Sequence, residues 1–549
     1  MERDAEIIKA LDFRNKSMQA RFGVVRPSFE DVAHWIDPAR GRHLGQGDNG
    51  DARKQQVLAD STPRKAYRIL KSGLMGGLSS PSRPWFKLKL AGYDKPSHEE
   101  QVWLDECQRR MYEVMAGSNL YNALSQCYGD LALFGTYGGV LRGSRENIIH
   151  VQSYPVGSYL YAENEEGLID TLHWRLKMTV RQLVKYFVMD NVSDRVKTMW
   201  KQNQMNDQVE VCAAIEQRMD RDPMSKLAVD MPVGVYYWER SVKDKLLSRG
   251  GLSFAGILGP RWETVVDDPW PISSPGRDAL GDVKQLQAQQ RDKDTAIQMS
   301  YKPPLYGPPM AQKFSYLPGA YNAATQADIA KGGPQPILGI RPDVQWMLAN
   351  VQETQGRVME AFYADLFRMA SEYGIQGGKD VTATFIAEMK EEKLVVLGPV
   401  LESLDRGLLS PLVQGTFHYM QEYEILPEPP KSIVGVGVNV EFVSLLAQAQ
   451  RAIGVASIER TIGFVGTMAQ LQPTVLDNLD GDELLRDFAS QVGFPMKSLR
   501  DPAQVETQRE AAAAQAQQQQ MMAAAQPMAQ AANLLSEASA RGQEGLGGL

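Results

Sequence analysis

The sequence has little cysteine and no long apolar run, and these absences exclude several classes of protein. Its three cysteines, Cys107, Cys127 and Cys212, form no Cys-x-x-Cys pair. A sparse, odd-numbered set predicts neither a disulfide framework nor a zinc site and suits a reducing compartment. The best apolar run, Leu394–Leu401, is far shorter than the ~18 residues that a membrane-spanning helix needs. We therefore expect no membrane segment.

The chain also lacks a basic excess. Its 549 residues carry 59 Lys and Arg against 66 Asp and Glu, which gives a net charge of −7. A protein that grips nucleic acid through its phosphates needs the opposite balance. The charge excludes tight, unspecific binding of nucleic acid, but it permits a protein through which DNA merely passes.

No familiar catalytic pattern is present. The six histidines show no ligand or nucleophile spacing, and the acidic residues near Asp477 and Asp480 lack the order of a calcium loop. The Gly374–Asp380 stretch resembles a phosphate-binding loop but is one residue too short, and Asp380 replaces the hydroxyl that would hold magnesium. We predict no catalytic residue, no cofactor and no metal, and expect that the chain is not an enzyme.

Patterns of helix and strand are mixed over the first half of the chain. Helical spacing is found in His98–Met115 and Val180–Phe187, and strand-like runs occur at Ile148–Gln152 and Val233–Glu239. This mixture predicts an α+β fold for residues 1–275, within a chain that is mostly helical overall.

The middle of the chain is more distinctive. Residues 276–301 form a polar, Gln-rich helical pattern with few aliphatic residues, which are Leu280, Val283, Leu286 and Ile297. So thin a stripe does not bury a helix by itself. Residues 302–341 contain seven prolines, which exclude a regular helix and indicate short strands. Helical spacing returns over 342–373.

A glycine-rich interruption at 374–381 separates that helix from another helical pattern over 382–423, in which Pro399 and Pro411 predict kinks. Further helical pieces fill 424–500, with a short strand expected at Val434–Val440. Residues 501–549 are rich in Ala, Gln and Met without an apolar face, which predicts a solvated helix or disorder.

The order of these parts resembles the portal, or head-to-tail connector, family of short-tailed double-stranded DNA bacteriophages. The segments that carry the resemblance are Leu70–Phe86, Tyr128–Gly139 and the arrangement from 276 to 423. The resemblance implies a portal-type subunit whose parts are a wing (1–275), a first stem helix (276–301), a clip (302–341), a second stem helix (342–373), a tunnel loop (374–381), a long kinked wing helix (382–423), C-terminal wing or crown helices (424–500) and a crown extension or disordered tail (501–549).

The family further implies a homo-oligomeric ring, a dodecamer, at one capsid vertex of the virion, assembled in the bacterial host cytoplasm. Double-stranded DNA passes through its channel, and its partners are the terminase packaging motor, tail adaptor or nozzle proteins, and the major capsid and scaffolding proteins. The tunnel loop would place Gly374, Gly377, Gly378 and Lys379 at the channel. The clip carries four basic residues against Asp328, and we expect these four to form a docking surface: Lys302, Lys313, Lys331 and Arg341.

Two other interpretations stay open at this point. An internal scaffolding or head–tail adaptor protein would have no channel, and a packaging ATPase would need the phosphate-binding loop that the sequence lacks. A ring with a central hole, seen by electron microscopy, would separate the portal from both.

Overall fold

The computed structural model describes residues 2–45, 58–90, 97–219, 221–222, 224–225, 227–302, 305–307, 317, 320–323, 330, 335–336, 343–367, 397–433, 438–442, 485, 505–517 and 535. The chain divides into two compact units. The first comprises Met1–Lys89, Gln108–Pro427 and Val438–Gln450, and the second Leu90–Cys107, Glu428–Gly437 and Arg451–Leu549. None of the helices in the described ranges is long and apolar enough to cross a membrane.

Helices and antiparallel sheets together make an α+β fold, as the sequence predicts. The described helices are α1 (Glu2–Trp35), α2 (Thr62–Leu78), α3 (His98–Gly117), α4 (Leu120–Phe134), α5 (Val180–Phe187), α6 (Asp194–Lys201), α7 (Pro275–Asp278), α8 (Leu280–Tyr301), α9 (Val344–Ala361), α10 (Gly398–Leu404) and α11 (Ser410–Glu422). A 3-10 turn, Pro38–Gly41, follows α1.

The described strands are β1 (Phe86–Leu90), β2 (Gly138–Ser144), β3 (Ile148–Tyr154), β4 (Tyr159–Glu163), β5 (Ile169–Thr179), β6 (Gln208–Gln217), β7 (Val233–Glu239), β8 (Leu246–Leu252), β9 (Ile257–Leu258), β10 (Leu305–Gly307), β11 (Tyr321–Ala323), β12 (Gln335–Pro336) and β13 (Val438–Phe442). They form four sheets, of which the largest is antiparallel with the order β4-β5-β6-β7-β8. The others have the orders β3-β2-β9, β11-β10-β12 and β1-β13.

One face of the five-stranded sheet is covered by the first turns of α1. Ile8 and Leu11 of α1 pack on Cys212 and Ala214 of β6 and on Trp238 of β7, and all five are buried. The contacts on β6 come from alternate residues because successive strand side chains point to opposite faces. Helix α1 therefore packs on strands that lie more than two hundred residues later in the sequence.

A cluster of aromatic side chains forms a second part of the core, between α1 and the loop before α7. Trp270 is 1% exposed, and its ring centroid lies 4.4 Å from that of Tyr161 in a stacked arrangement and 4.7 Å from that of Phe22. Large aromatic side chains contribute strongly to a core because each removes a large apolar area from water. The body of the protein is therefore centred on this cluster as well as on the sheet.

The helical pattern after residue 382 is described from residue 397 onward, where it shows a specific interruption. Five residues, Asp405–Leu409, form a π-helical segment between α10 and α11. Pro411 has no amide hydrogen, so the carbonyl of Gly407, four residues earlier, lacks its α-helical donor. The amide of Gly259 donates to that carbonyl at 3.1 Å instead. A Cβ on Gly407 would lie 2.9 Å from the Pro260 Cα, so this approach requires glycine.

One expected boundary is wrong. The helix predicted over 342–373 ends as α9 at Ala361, and Tyr363 has a positive φ of 52°. The turn leaves Phe362 fully buried, and a short helical stretch at 364–367 follows. Burial of an aromatic side chain has outweighed continuous helical spacing here. The strand expected at Val434–Val440 is observed as β13, which begins four residues later.

The second unit is described over fewer residues. Ser97 and Glu100 form a reciprocal cap at the start of α3, in which the Ser97 amide donates to Glu100 Oε2 at 2.8 Å and the Glu100 amide to Ser97 Oγ at 3.4 Å. Ser432 Oγ donates to the other oxygen of Glu100 at 2.7 Å. Residues 505–517 form a helix whose side chains are almost all exposed.

Candidate functional site

The most distinctive feature of the first unit is a two-helix arm. We call α8, α9 and the strands β10, β11 and β12 between them the arm, and the rest of the first unit the body. Asp282, near the start of α8, pairs with Arg357, near the end of α9, at 3.1 Å. Beyond the other ends of the helices, Leu305 of β10 is the antiparallel partner of Pro336 of β12. The chain thus runs outward along α8 and returns along α9, so the two helices are antiparallel.

Few side chains of the arm are buried within the subunit. On α8 the buried residues are Val283, Leu286, Gln287 and Ala296, and on α9 they are Val351, Thr354, Val358 and Met359. The aliphatic stripe that the sequence predicts for 276–301 is therefore present and as thin as expected. A helix with so little apolar contact usually needs a partner for its remaining faces.

The base of the arm is joined to the body by a buried amide that the sequence did not reveal. Gln287 is fully buried, donates from Nε2 to the Asp60 carbonyl at 2.8 Å and accepts from the Asp60 amide at 3.1 Å. Gln355 of α9 donates to the Asp60 carboxylate at 2.8 Å. Asp60 also accepts from the amide of Thr62, where α2 begins. One aspartate thus joins α2, α8 and α9.

The body end of the arm also contacts the helix that carries the Leu70–Phe86 segment. The ring of Phe367, just after α9, lies so close to Gly73 of α2 that a Cβ on Gly73 would be 2.2 Å from it. Only glycine leaves room for this contact. The sequence pattern Ser72-Gly73-Leu74 shows the glycine but not its partner.

Helix α2 further contacts a buried ion pair in the body. Asp130 of α4 accepts from Arg40 at 2.9 Å, and Tyr67 and Lys71 of α2 lie beside the pair. Burial raises the pKa of Asp130 to about 6, although Arg40 and Lys71 act in the opposite direction. Burial also raises the pKa of Tyr67 to about 12. The body thus contains a carboxyl group that titrates close to neutral pH.

The outer end of the arm exposes large apolar side chains. Tyr301 at the end of α8 is 84% exposed, and Trp346 and Leu348 in the first turns of α9 are 66% and 45% exposed. Single exposed apolar residues are common, but here three large ones lie at the same end of a polar helix pair. This end of the arm is suited to contact another protein chain.

The proline-rich segment between the helices contains short strands, as its sequence predicts. Strand β10 lies between β11, which is parallel to it, and β12, which is antiparallel. Lys302, the first of the four predicted docking residues, is exposed at the C-terminal end of α8.

The remaining predicted site residues lie outside the described residues. These are Lys313, Lys331 and Arg341 of the expected clip and Gly374, Gly377, Gly378 and Lys379 of the expected tunnel loop. Within the described ranges, no three His, Cys, Asp or Glu side chains are grouped so that they could hold a metal ion.

The sequence of the chain is similar to a known protein family and to two of its relatives. Residues 9–499 match the model of the family described as bacteriophage head to tail connecting protein. The portal protein of Salmonella phage epsilon15 is 37% identical over 522 residues, covering 93% of this chain and 93% of the relative. The probable portal protein of Bordetella phage BPP-1 is 35% identical over 491 residues, covering 87% of each. A solved structure, the virion of a native gene transfer agent particle, contains a chain with 9% identity and a TM-score of 0.35 that matches 80% of this chain and 89% of that one.

Proposed function

The chain belongs to the bacteriophage head-to-tail connecting protein family and is a structural portal subunit, and from this premise we propose that its copies form a closed ring of about twelve. The ring would occupy one vertex of the capsid, after assembly in the host cytoplasm. It would act without catalysis, as the channel through which double-stranded DNA enters and leaves.

The observation that carries the ring is the arm. Helices α8 and α9 bury few side chains in their own subunit, yet their outer end exposes Tyr301, Trp346 and Leu348. A heterologous contact repeated around a closed axis would cover these faces with equivalent arms of the two neighbours. In this arrangement the arms are the stem helices that surround the channel.

The proline-rich segment at the tip of the arm would then be the clip. Residues 302–341 carry Lys302, Lys313, Lys331 and Arg341 against Asp328, a net charge of +3 in an acidic chain. We assign this surface to docking, first of the terminase motor and then of tail adaptor or nozzle proteins. Capsid and scaffolding proteins would contact other parts of the ring.

The glycine-rich segment after the arm would be the tunnel loop. Gly374, Gly377 and Gly378 permit many backbone conformations, and Lys379 supplies one positive charge per subunit. A ring of single lysines in an otherwise acidic chain would touch DNA phosphates weakly. Weak contacts suit a channel in which DNA slides, because many strong phosphate contacts would hold it in place.

Replacement of Trp346 by Glu tests the ring. We expect the wild-type chain at micromolar concentration to form rings with a central hole, and Trp346→Glu to remain monomeric, because a buried carboxylate without a partner is strongly unfavourable. Light scattering and negative-stain electron microscopy are the measurements.

The matched control is Gln345→Glu, which adds the same charge at the neighbouring exposed residue of α9 and should still form rings. If Trp346→Glu forms rings as well as the wild type does, Trp346 has no role in assembly. A wild-type chain that stays monomeric would favour a scaffolding or adaptor protein, and ATP turnover by it would favour a packaging enzyme.

A further inference from the structure

Arg142 of β2 lies among aromatic side chains where the three-stranded and five-stranded sheets meet. Its guanidinium carbon is 5.5 Å from the ring centroid of Trp174 in β5. The ring of Tyr154 in β3 is 4.9 Å from that of Trp174, and the ring of Tyr237 in β7 is 6.0 Å from it at a right angle. A cation over an indole face is stabilised by the negative charge of the ring. Four strands thus build one aromatic site around one positive charge.

Hydrogen bonding in this site is incomplete. Within the described part of the chain, Arg142 Nη2, the Tyr154 phenol oxygen and Trp174 Nε1 are buried without a hydrogen-bond partner. The guanidinium and the indole N–H can only donate, and the acceptors beside the guanidinium are the neutral phenol oxygens of Tyr154 and Tyr237. Buried donors that stay unpaired are costly, and native proteins pair nearly all of them.

The positive charge of the site is also unbalanced. The groups that act most strongly on the guanidinium are the phenols of Tyr237, Tyr154 and Tyr186. Burial raises the pKa of Tyr154 and of Tyr237, so both phenols are neutral at neutral pH and supply no negative charge. Arg142 forms no ion pair with any carboxylate among the described residues. A carboxylate is the group that would complete the site, because its two oxygens match the guanidinium fork.

The edge of the site has the composition of a protein interface. Tyr186 is 61% exposed, and its ring centroid is 6.2 Å from that of Tyr237. Val188 follows α5 and is 60% exposed, with φ 66° and ψ 151°, a backbone conformation found almost only in glycine. Arginine and aromatic residues are enriched at the centres of protein interfaces, where surrounding apolar residues exclude water.

We propose that Arg142 binds a carboxylate side chain from a neighbouring copy of this chain, with Tyr186 and Val188 covered by the same contact. This inference rests on the proposed ring. In a ring, each subunit presents one surface to the next and a different surface to the previous one, so a receptor on one side requires a donor on the other. The chain has 66 acidic residues against 59 basic ones, which makes a carboxylate the group that its own surface most readily supplies.

The test compares assembly with stability in the full-length chain. Arg142→Met keeps the volume and removes the charge. We expect the protein concentration at which half of the chains are in rings to rise at least tenfold, since a buried charge pair lost across an interface weakens binding by more than that factor. The urea midpoint of the unassembled chain should not fall, because the substitution removes a buried, unpaired cation. Arg142→Lys keeps the positive charge but loses the planar guanidinium. Its concentration at half assembly should lie between those of the wild type and Arg142→Met.

Arg240→Met is the matched control, because Arg240 already pairs with Glu210 of its own chain at 2.8 Å, and it should assemble like the wild type. Normal assembly of Arg142→Met with a lower urea midpoint would show a purely structural arginine and overturn the proposal. An electron cryomicroscopy map of the wild-type ring supplies a test that needs no variant. A neighbour's carboxylate against the Arg142 guanidinium supports the proposal, whereas water, a small anion or a carboxylate of the same subunit there overturns it. If the wild-type chain forms no ring, both this proposal and the proposed ring are wrong.

Discussion

The body and the arm of this subunit differ in how far they bury a tryptophan side chain. Trp270 of the body is 1% exposed and stacks on Tyr161, whereas Trp346 of the arm is 66% exposed. The core around Trp270 buries aromatic residues from several elements of one chain. The arm places an indole in solvent at the end of a polar helix pair. The fold of one subunit is therefore sufficient to bury Trp270 but leaves most of Trp346 in solvent.

Two buried ion pairs of the body can be compared with an exposed ion pair of the arm. In the body, Arg261 is 9% exposed in its side chain and pairs with Glu163 at 2.6 Å, and Asp130 is buried beside Arg40. In the arm, the Arg357 side chain that pairs with Asp282 is 42% exposed. Exposed pairs contribute little free energy, whereas a buried pair destabilises the fold strongly if one partner is removed. The body is thus the part in which electrostatic substitutions should matter for the folding of one subunit.

Truncation of the two tryptophans makes the comparison quantitative. We expect Trp270→Ala to lower the free energy of unfolding of the unassembled chain by about 3 to 5 kcal/mol, as is usual for a buried tryptophan. Trp346→Ala should change it by less than about 0.5 kcal/mol, because the ring is mostly in solvent. Urea unfolding followed by circular dichroism measures both. Equal losses at the two sites would mean that the arm is packed within the subunit.

The pH dependence of stability tests the buried carboxyl group of the body. The pKa of Asp130 is about 6 in the folded state against an ordinary value of 3.8, so the folded state binds the proton more tightly. Its contribution to stability is complete below about pH 4 and is lost as the pH rises through 6. The wild type should therefore lose roughly 2 to 3 kcal/mol more than Asp130→Asn between pH 4 and pH 7.

Urea unfolding at the two pH values gives this difference directly. Asp194→Asn is the control, because the Asp194 side chain is 99% exposed, and its pH profile should follow the wild type. Parallel profiles for the wild type and Asp130→Asn would show that Asp130 is ionised throughout and would remove it from the pH response.

The junction between body and arm should give the smallest of the three effects. Gln287→Ala leaves the buried amide and carbonyl of Asp60 without partners, which we expect to cost about 1 to 3 kcal/mol. Gln298→Ala, at an exposed glutamine of the same helix, should cost almost nothing. Amide hydrogen exchange gives a second measurement, since faster exchange in α8 and α9 alone would show that Gln287 holds the arm to the body.

Much of this architecture can be predicted from the sequence because the local patterns are strong. The bounds of α5 and β7 agree with the predicted Val180–Phe187 and Val233–Glu239. In both segments the spacing of apolar residues favours a single type of secondary structure. The thin stripe of α8 was also readable, since it depends only on residue spacing. The same spacing gave a wrong end for α9, because the burial of Phe362 is a tertiary effect that helical periodicity does not contain.

The contacts that join distant segments could not be predicted. Gln287 is one of many glutamines in a polar helix, and nothing in its neighbourhood marks it as the partner of Asp60, more than two hundred residues away. The Arg142 site likewise collects residues from four strands. The roles of Lys302, Lys379 and the glycines near Lys379 remain predictions.

The hydrogen bond between Gly259 and Gly407 fixes the position of the helical segment between α10 and α11 along its own axis. Pro411 cannot donate to the Gly407 carbonyl, the absence of a side chain on Gly407 permits a close approach, and the amide of Gly259 donates to that carbonyl. A slide of this helix by one residue would bring the side chain of Arg406 or Leu408 against the backbone of Pro260. Axial sliding is therefore blocked, and the helix can move only together with the loop that holds it.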